Sequence, residues 1–514
     1  MVFLSMSTTT ASRSWSDRLL DRVERVGNAL PDPVTLFFLL IGIVMLVSWI
    51  ASMVGLSAMH PGTEETIVVD NLFSSENIRR LFVEMPETFA AFPPLGLVLV
   101  VMLGIGVADK TGLISAALSA FVRSVPDVLL TAALVFAGIM SSLAVDAGYV
   151  VVIPLGAVLF YGAGRHPLAG LAAAFSGVSA GFSANLSLTS LDPLLAGFTQ
   201  PAAQLIDPSY TVDATANYYL MIALVPVFMA AGVWVTERII EPRLGDYTPP
   251  DDLEADAPHD LSDDERKGLR TAGWVFGLAA IGVALLVVPE NAPLRGADGS
   301  LDPFFHSIVA LMVVLFFLPG LAFGIVTKEI ESDKDVAKMM ADTMADMGAY
   351  IVLAFAAAHF IAMFNWSNLG SVLAISGANG LEAIGFTGLP LIVSFIFVSS
   401  LINVFVGSAS AKWAILAPIF VPMLMLLGYS PETTQAAYRI GDAFTNILTP
   451  LLPYFPLVII FAQRYDKDSG IGSIIALMLP YSIAFAIVST LTLALWIAFG
   501  LPLGPGVPLE YTTP

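Results

Sequence analysis

Apolar runs of about twenty residues, starting near Val34 and recurring along the chain, constrain this fold more than any other feature. Inside a bilayer every backbone amide and carbonyl needs a partner within the protein, so only helices and closed barrels can span. Runs of this length select helices. Hydrophobic residues make up 57% of the chain, charged residues 12%, and mean hydropathy is +0.82, which does not describe a soluble globule. Cysteine is absent, so disulfides, thiolate metal sites and cysteine nucleophiles are excluded. The five histidines lack the HExxH spacing of a metal site. Without a phosphate-binding P-loop, nothing suggests direct use of ATP.

The pattern predicts an all-α polytopic membrane protein with nine crossings, near 33–54, 92–108, 167–200, 217–236, 272–289, 305–326, 338–364, 432–463 and 471–500. Two further apolar stretches, about 126–162 and 388–424, carry polar, glycine-rich centres and read as re-entrant helical hairpins. Charge distribution supports this threading. With the N-terminus cytoplasmic, Arg79, Arg80 and Arg295 fall outside and Lys412 and Arg439 lie in the core; the rest of the 22 Lys and Arg residues are inside. Arg13, Arg18, Arg22 and Arg25 precede the first run, which reads as a start-transfer span rather than a cleaved signal. The expected organisation is an N-terminal segment (1–32), a first crossing and extracytoplasmic loop (33–91), a first repeat (92–236), an acidic linker (237–271), central crossings (272–337), a second repeat (338–500) and a tail (501–514). Nine acids and no Lys or Arg lie between Asp246 and Glu265, which reads as a solvated linker. In this threading the two hairpins open from opposite sides, an inverted-topology repeat.

The hairpins and the crossings after them read as diverged copies. The first copy is SSLAVDAGYVVVIP from Ser141, His166–Pro167, then AGFSANLSLTSLDP from Ala180. The second is SSLINVFVGSASAKWAILAP from Ser399, Ser430–Pro431, then DAFTNILTPLLP from Asp442. Paired, interrupted segments in two halves of a membrane protein point to a transporter's binding site.

Charged groups at membrane depth are expensive and therefore start as functional candidates. Arg439 and Asp442 share a helix face; either they pair locally, or Arg439 meets a substrate carboxylate while Asp442 binds a cation or proton. Hard cations take oxygen ligands, which suggests two pseudo-symmetric cation sites. One is Ser142, Asp146 and Asn185; the other is Ser400, Asn403, Asp442 and Asn446, with sodium at Asn403 and Asp442. Alternatively, these asparagines satisfy broken backbone. Asp192, before Pro193, reads equally as a helix cap or a coupling group. Trp413 reads as a stacking surface for an aromatic substrate or as packing. Lys412 is free to extend its stem to the interface.

The segments NVFVGSASAKWAILAPIFVPM from Asn403 and YRIGDAFTNILTPLLPY from Tyr438 resemble the p-aminobenzoyl-glutamate transporter (AbgT) family, and the resemblance extends over essentially the whole chain. It implies a homodimeric bacterial inner-membrane carrier with nine helices and two re-entrant hairpins, the N-terminus cytoplasmic and the C-terminus periplasmic. It implies uptake of p-aminobenzoyl-glutamate or efflux of sulfonamide antimetabolites. Its functional positions match Asp192, Asn403, Ser410, Trp413, Pro431, Arg439, Asp442 and Pro450. The expected function is secondary active transport by alternating access, with sodium or protons as the coupling ion, no other cofactor and no nucleic-acid partner. A sodium-coupled dicarboxylate or other organic-anion symporter is the alternative. An intramembrane enzyme would need Ser410 and Lys412 on one helix face, which a spacing of two does not give; a channel would need a continuous pore.

Overall fold

A computed structural model describes residues 33–59, 66–143, 148–248, 261–296, 299–404, 408–449, 452 and 454–512. The N-terminal segment, the central part of the acidic linker, Asp146 at the first hairpin tip and Pro450 lie outside the described residues. Among those described the protein is helical, apart from one antiparallel ribbon in the first loop, β1 (Ser57–Met59) with β2 (Thr66–Val68). Eight helices are long and apolar enough to span a membrane, or nine if a pair bent by 118° at residues 123–127 counts as one span.

Long helices occupy most of the expected crossings: Pro33–Met53, Pro93–Lys110, Tyr218–Val235, Asp263–Val287, Ile308–Thr327, Gly348–Trp366 and Ile471–Ala498. The crossing read as 338–364 is divided at Met347, with a separate amphipathic helix, Asp333–Asp346, before it. Helix also enters the stretch read as linker. It continues to Leu244 on one side and resumes at Asp263 on the other, where Ser262 and Glu265 cap each other's backbone amides.

Eight helices build the centre, and their order repeats. The first set is α1 (Leu130–Met140), α2 (Ile153–Gly162), α3 (Pro167–Phe175) and α4 (Leu191–Ala203); the second is α5 (Leu389–Asn403), α6 (Ala409–Leu426), α7 (Pro431–Ala443) and α8 (Phe455–Gln463). In each set two helices flank a tip and a third breaks before a fourth. The α3 helix widens into π-type turns over Ser176–Ala180 and unwinds before α4, while α7 ends in tight turns after Ala443. The amphipathic helix Leu113–Arg123 precedes the first set, and the helix Leu369–Ala383 precedes the second. The one difference between the tips' arms is length: α6, kinked by Pro418 and Pro422, is itself long and apolar enough to span.

Small residues let these helices approach closely, as packing in lipid requires. A Cβ at Gly177 would run into the Val135 carbonyl oxygen, and one at Gly441 into that of Ile396. The breaks are held by buried side chains. Ser183 Oγ donates to the Arg439 carbonyl oxygen at 2.9 Å, tying one break to the other set, and Thr449 Oγ1 donates to the Val404 carbonyl at 3.1 Å. The chain's last turn closes the start of α7: the Ser430 amide donates to the Leu509 carbonyl at 3.0 Å, as does Thr433 Oγ1 at 2.9 Å. At another end of the protein, Arg165 makes a forked pair with Glu241 at 2.7 and 2.8 Å over the Phe160 ring.

The Gly441 contact yields a prediction. Overpacking a tight interface costs about 1–3 kcal/mol, whereas Gly380, on the helix Leu369–Ala383, has open space at its Cβ position. Gly441→Ala should lower the thermal unfolding midpoint of detergent-purified protein, and Gly380→Ala should not. Equal midpoints would contradict the packing described.

Candidate substrate and ion site

The two tips and two breaks converge on one cavity of about 380 Å³, within the range of small-molecule sites. Ser141 and Ser142 reach it from the first set, and Ser410 and Asn446 from the second. Its aromatic wall is Tyr149 stacked on Tyr454, with ring centroids 4.3 Å apart and planes 11° from parallel, joined by Phe182 and Tyr350. A more open groove beside Pro226, Trp234 and Arg238 shares no lining residue with it.

Behind the wall near Thr189 lies a buried ion pair. Arg439 Nη1 donates to Asp192 Oδ1 at 2.5 Å, and both side chains are almost wholly enclosed. The other oxygen of Asp192 accepts the Thr189 amide at 2.6 Å and its hydroxyl at 3.0 Å. Asp192 therefore braces the start of α4 and neutralises Arg439 at once, so the capping and charge-balancing roles coincide. Arg439 Nε and Nη2 remain without hydrogen-bond partners. An unpaired buried donor is costly, and these two present the forked geometry that receives a carboxylate.

A second buried pair lies where the second tip meets α7. The Lys412 ammonium contacts both Asp442 Oδ1 and Asn403 Oδ1, with no exposed side-chain area on Lys412 or Asp442. Asn403 Nδ2 donates to the Asp442 carbonyl at 2.6 Å, Thr445 Oγ1 at 2.8 Å and Asn446 Oδ1 at 2.8 Å. The expected local pair of Arg439 with Asp442 is not formed, because each has a partner on another helix. Nor does Lys412 extend to an interface; a buried carboxylate needs a counter-charge, and Lys412 supplies it.

This arrangement bears on the expected sodium ligands. Asn403 Oδ1, Asp442 Oδ1 and Asn446 Oδ1 are all engaged, and only Asp442 Oδ2 lacks a partner. The Ser400 hydroxyl is turned to the Phe397 carbonyl at 2.8 Å and joins no cluster. In this conformation the second ligand set does not fit a metal ion, because an ammonium fills it. At the first tip Asn185 Nδ2 donates to Ser142 Oγ at 2.9 Å, so two of the three expected residues meet; Asp146 lies outside the described residues.

Two other expected residues lie away from the cavity. Trp413 is fully buried, its ring stacked on Tyr438 at 4.5 Å and its Nε1 donating to Thr199 Oγ1 at 2.9 Å. It packs α6 against α4 and α7 and does not line the cavity. Pro431 forms the first turn of α7, beside the chain's tail and away from the cavity wall. Tyr149 and Tyr454, which the residue patterns did not single out, supply the aromatic surface. Their position directly after the first tip and within the second break was the available signal.

Comparison with known proteins agrees with this architecture. The model of the AbgT putative transporter family matches residues 18–511. This chain belongs to that family. It is 39% identical over 507 residues to the p-aminobenzoyl-glutamate transport protein of Escherichia coli K12, covering 98% of this chain and 99% of the relative. The crystal structure of the Alcanivorax borkumensis YdaH transporter superposes with a TM-score of 0.89 at 44% identity, covering 92% of this chain and 100% of the other. Neisseria gonorrhoeae MtrF, described within a class of antimetabolite efflux pumps, gives 0.90 at 45%, covering 96% and 100%. The chain is a membrane transporter and not an enzyme.

The Arg439–Asp192 pair predicts a coupling. Removing one partner of a buried pair costs about 3–5 kcal/mol, so Asp192→Ala and Arg439→Met should each destabilise the purified protein markedly. The double variant should lose clearly less than the two single losses combined. Additive losses in unfolding measurements would mean that the two residues do not stabilise one another.

Proposed function

We propose that this protein is a secondary active transporter of p-aminobenzoyl-glutamate and of sulfonamide-type antimetabolites, driven by a sodium or proton gradient through alternating access. The observation that carries the reading is the single cavity fed by polar side chains from both repeated sets, with a buried ion pair behind each side. Such convergence of broken helices is where carriers bind their cargo. The names of the Escherichia coli relative and of MtrF supply the substrate classes.

The cavity chemistry suits those molecules. An aminobenzoyl ring finds a face on the Tyr149–Tyr454 stack, and a glutamate carboxylate finds the free Nε and Nη2 of Arg439 once Thr189 yields. A sulfonamide keeps the ring and lacks the carboxylates, so the ring surface is the shared determinant. The organic-anion alternative relies on Arg439 alone and leaves the aromatic wall without a purpose.

The threading supports alternating access. Three of the four arms, Leu130–Leu143, Gly148–Gly162 and Leu389–Asn403, have at most 15 residues each, or roughly 22 Å at 1.5 Å per residue, against a hydrocarbon core of about 30 Å; the fourth, α6, has 18. We read both tips as re-entrant, opening from opposite sides, with nine crossings in a bacterial inner membrane and the N-terminus cytoplasmic. Two copies are taken to form a homodimer. Asn403 and Asp442 act in ion coupling through the cluster they share with Lys412, and the first tip's Ser142, Asp146 and Asn185 form its pseudo-symmetric counterpart.

Uptake into reconstituted vesicles, with sodium and pH gradients imposed separately, tests the proposal. One gradient should drive accumulation of labelled p-aminobenzoyl-glutamate, and Asp442→Ala should abolish it while the variant still inserts. Accumulation without any gradient would sink the carrier reading. Tyr454→Ala should reduce transport of both the glutamate conjugate and a sulfonamide by about threefold to tenfold, the worth of one aromatic contact. Unchanged rates would remove the ring surface from recognition.

A further inference from the structure

The site expected to hold a metal ion already contains a cation. Lys412 stands one turn into α6, just past the second tip, and its ammonium lies between Asn403 Oδ1, at the end of the tip's other arm, and Asp442 Oδ1 on α7. We infer that Lys412 is the resident, tethered cation of this site, and that it and a sodium ion are mutually exclusive occupants of the Asn403–Asp442 oxygens.

Charge balance and ligand supply both enforce the exclusion. With Lys412 in place the cluster is neutral, one ammonium against one carboxylate, and both side chains are fully enclosed. Adding a sodium ion would leave an unpaired positive charge in a buried site, which the low dielectric penalises heavily. The next charged groups, Arg439 and Asp192, neutralise each other and offer no spare negative charge. The ligands point the same way. A hard cation needs several oxygens at once, and the two anionic or amide oxygens best placed for it are the ones the ammonium holds. Asn403 cannot turn a second oxygen inward, since its Nδ2 is spent on the Asp442 carbonyl, Thr445 and Asn446. Withdrawal of Lys412 would release Asn403 Oδ1 and Asp442 Oδ1 to join the already unpaired Asp442 Oδ2, beside Asn446 at the cavity wall.

A mechanical consequence follows. The Lys412 ammonium is a strut that links both arms of the second tip to α7. Exchanging it for a free ion would remove the anchored cation from that link, so occupancy of the site and position of the tip become one variable. This use depends on the transport reading above, whereas the exclusion itself is a property of the binding site and is measured without transport.

The test is sodium binding to purified full-length protein in nanodiscs, by labelled sodium at constant ionic strength. Lys412→Met should bind sodium about tenfold more tightly than the wild type, or more, and Lys412→Met/Asp442→Asn should lose that gain. Equal sodium affinity in wild type and Lys412→Met would overturn the inference, as would no binding in either. Should Lys412→Met fail to fold, the wild type decides: acylation of Lys412 by a small amine-reactive reagent, followed by mass spectrometry of its peptide, should rise in sodium over choline. Identical labelling in the two salts would overturn the inference. Vesicle uptake that fails while the binding exclusion holds would count against the transport reading alone.

Discussion

The architecture depends on the expense of leaving a charge or a broken backbone unpaired where water is excluded. Two helices are interrupted at membrane depth, and four ionisable side chains lie beside the interruptions, Asp192, Lys412, Arg439 and Asp442. Each is neutralised by a residue from a different helix: Arg439 of α7 by Asp192 of α4, and Asp442 of α7 by Lys412 of α6. Because truncating one partner of such a pair exposes the full desolvation cost of the other, the Arg439–Asp192 contact ties the two sets together and the Lys412–Asp442 contact ties the second tip to α7. The tight glycine contacts at Gly177 and Gly441 bring the third helix of each set close to the first arm of its tip.

Much of this was legible in the sequence. Apolar run length located the long helices, since the bilayer imposes that length, and the matched polar–proline pattern located both tips and both breaks. The meeting of Asn403 with Asp442 and Asn446, and of Ser142 with Asn185, followed from treating the copies as equivalent. Where the reading failed, the reason is consistent. Spacing along one helix suggested Arg439 with Asp442, but a residue separation of three shows only who shares a face, not who faces whom across helices. Lys412 looked free to reach an interface because its partner, 30 positions later in the chain, cannot be inferred from local pattern. Trp413 read either as a binding surface or as packing, because tryptophan in an apolar helix satisfies either role, and in this structure it stacks on Tyr438.

On the transport reading proposed above, the cavity would divide recognition between two kinds of surface. The ring-binding surface, Tyr149 on Tyr454, spans both sets, so it exists only when the first tip and second break are close. The free guanidinium donors of Arg439 stand behind Thr189 and become available only if that wall moves. A ligand that uses the stack alone and one that also uses the arginine thus ask different things of the same protein conformation.

The start of α7 is closed by chain that follows 76 residues later, Leu509 accepting from Thr433. During synthesis the helix that carries Arg439 and Asp442 is therefore made and placed in the membrane before the segment that satisfies its first-turn groups exists. The counter-charges of Arg439 and Asp442, Asp192 and Lys412, precede them in the chain, so both buried pairs can form before Leu509 arrives to close the helix start.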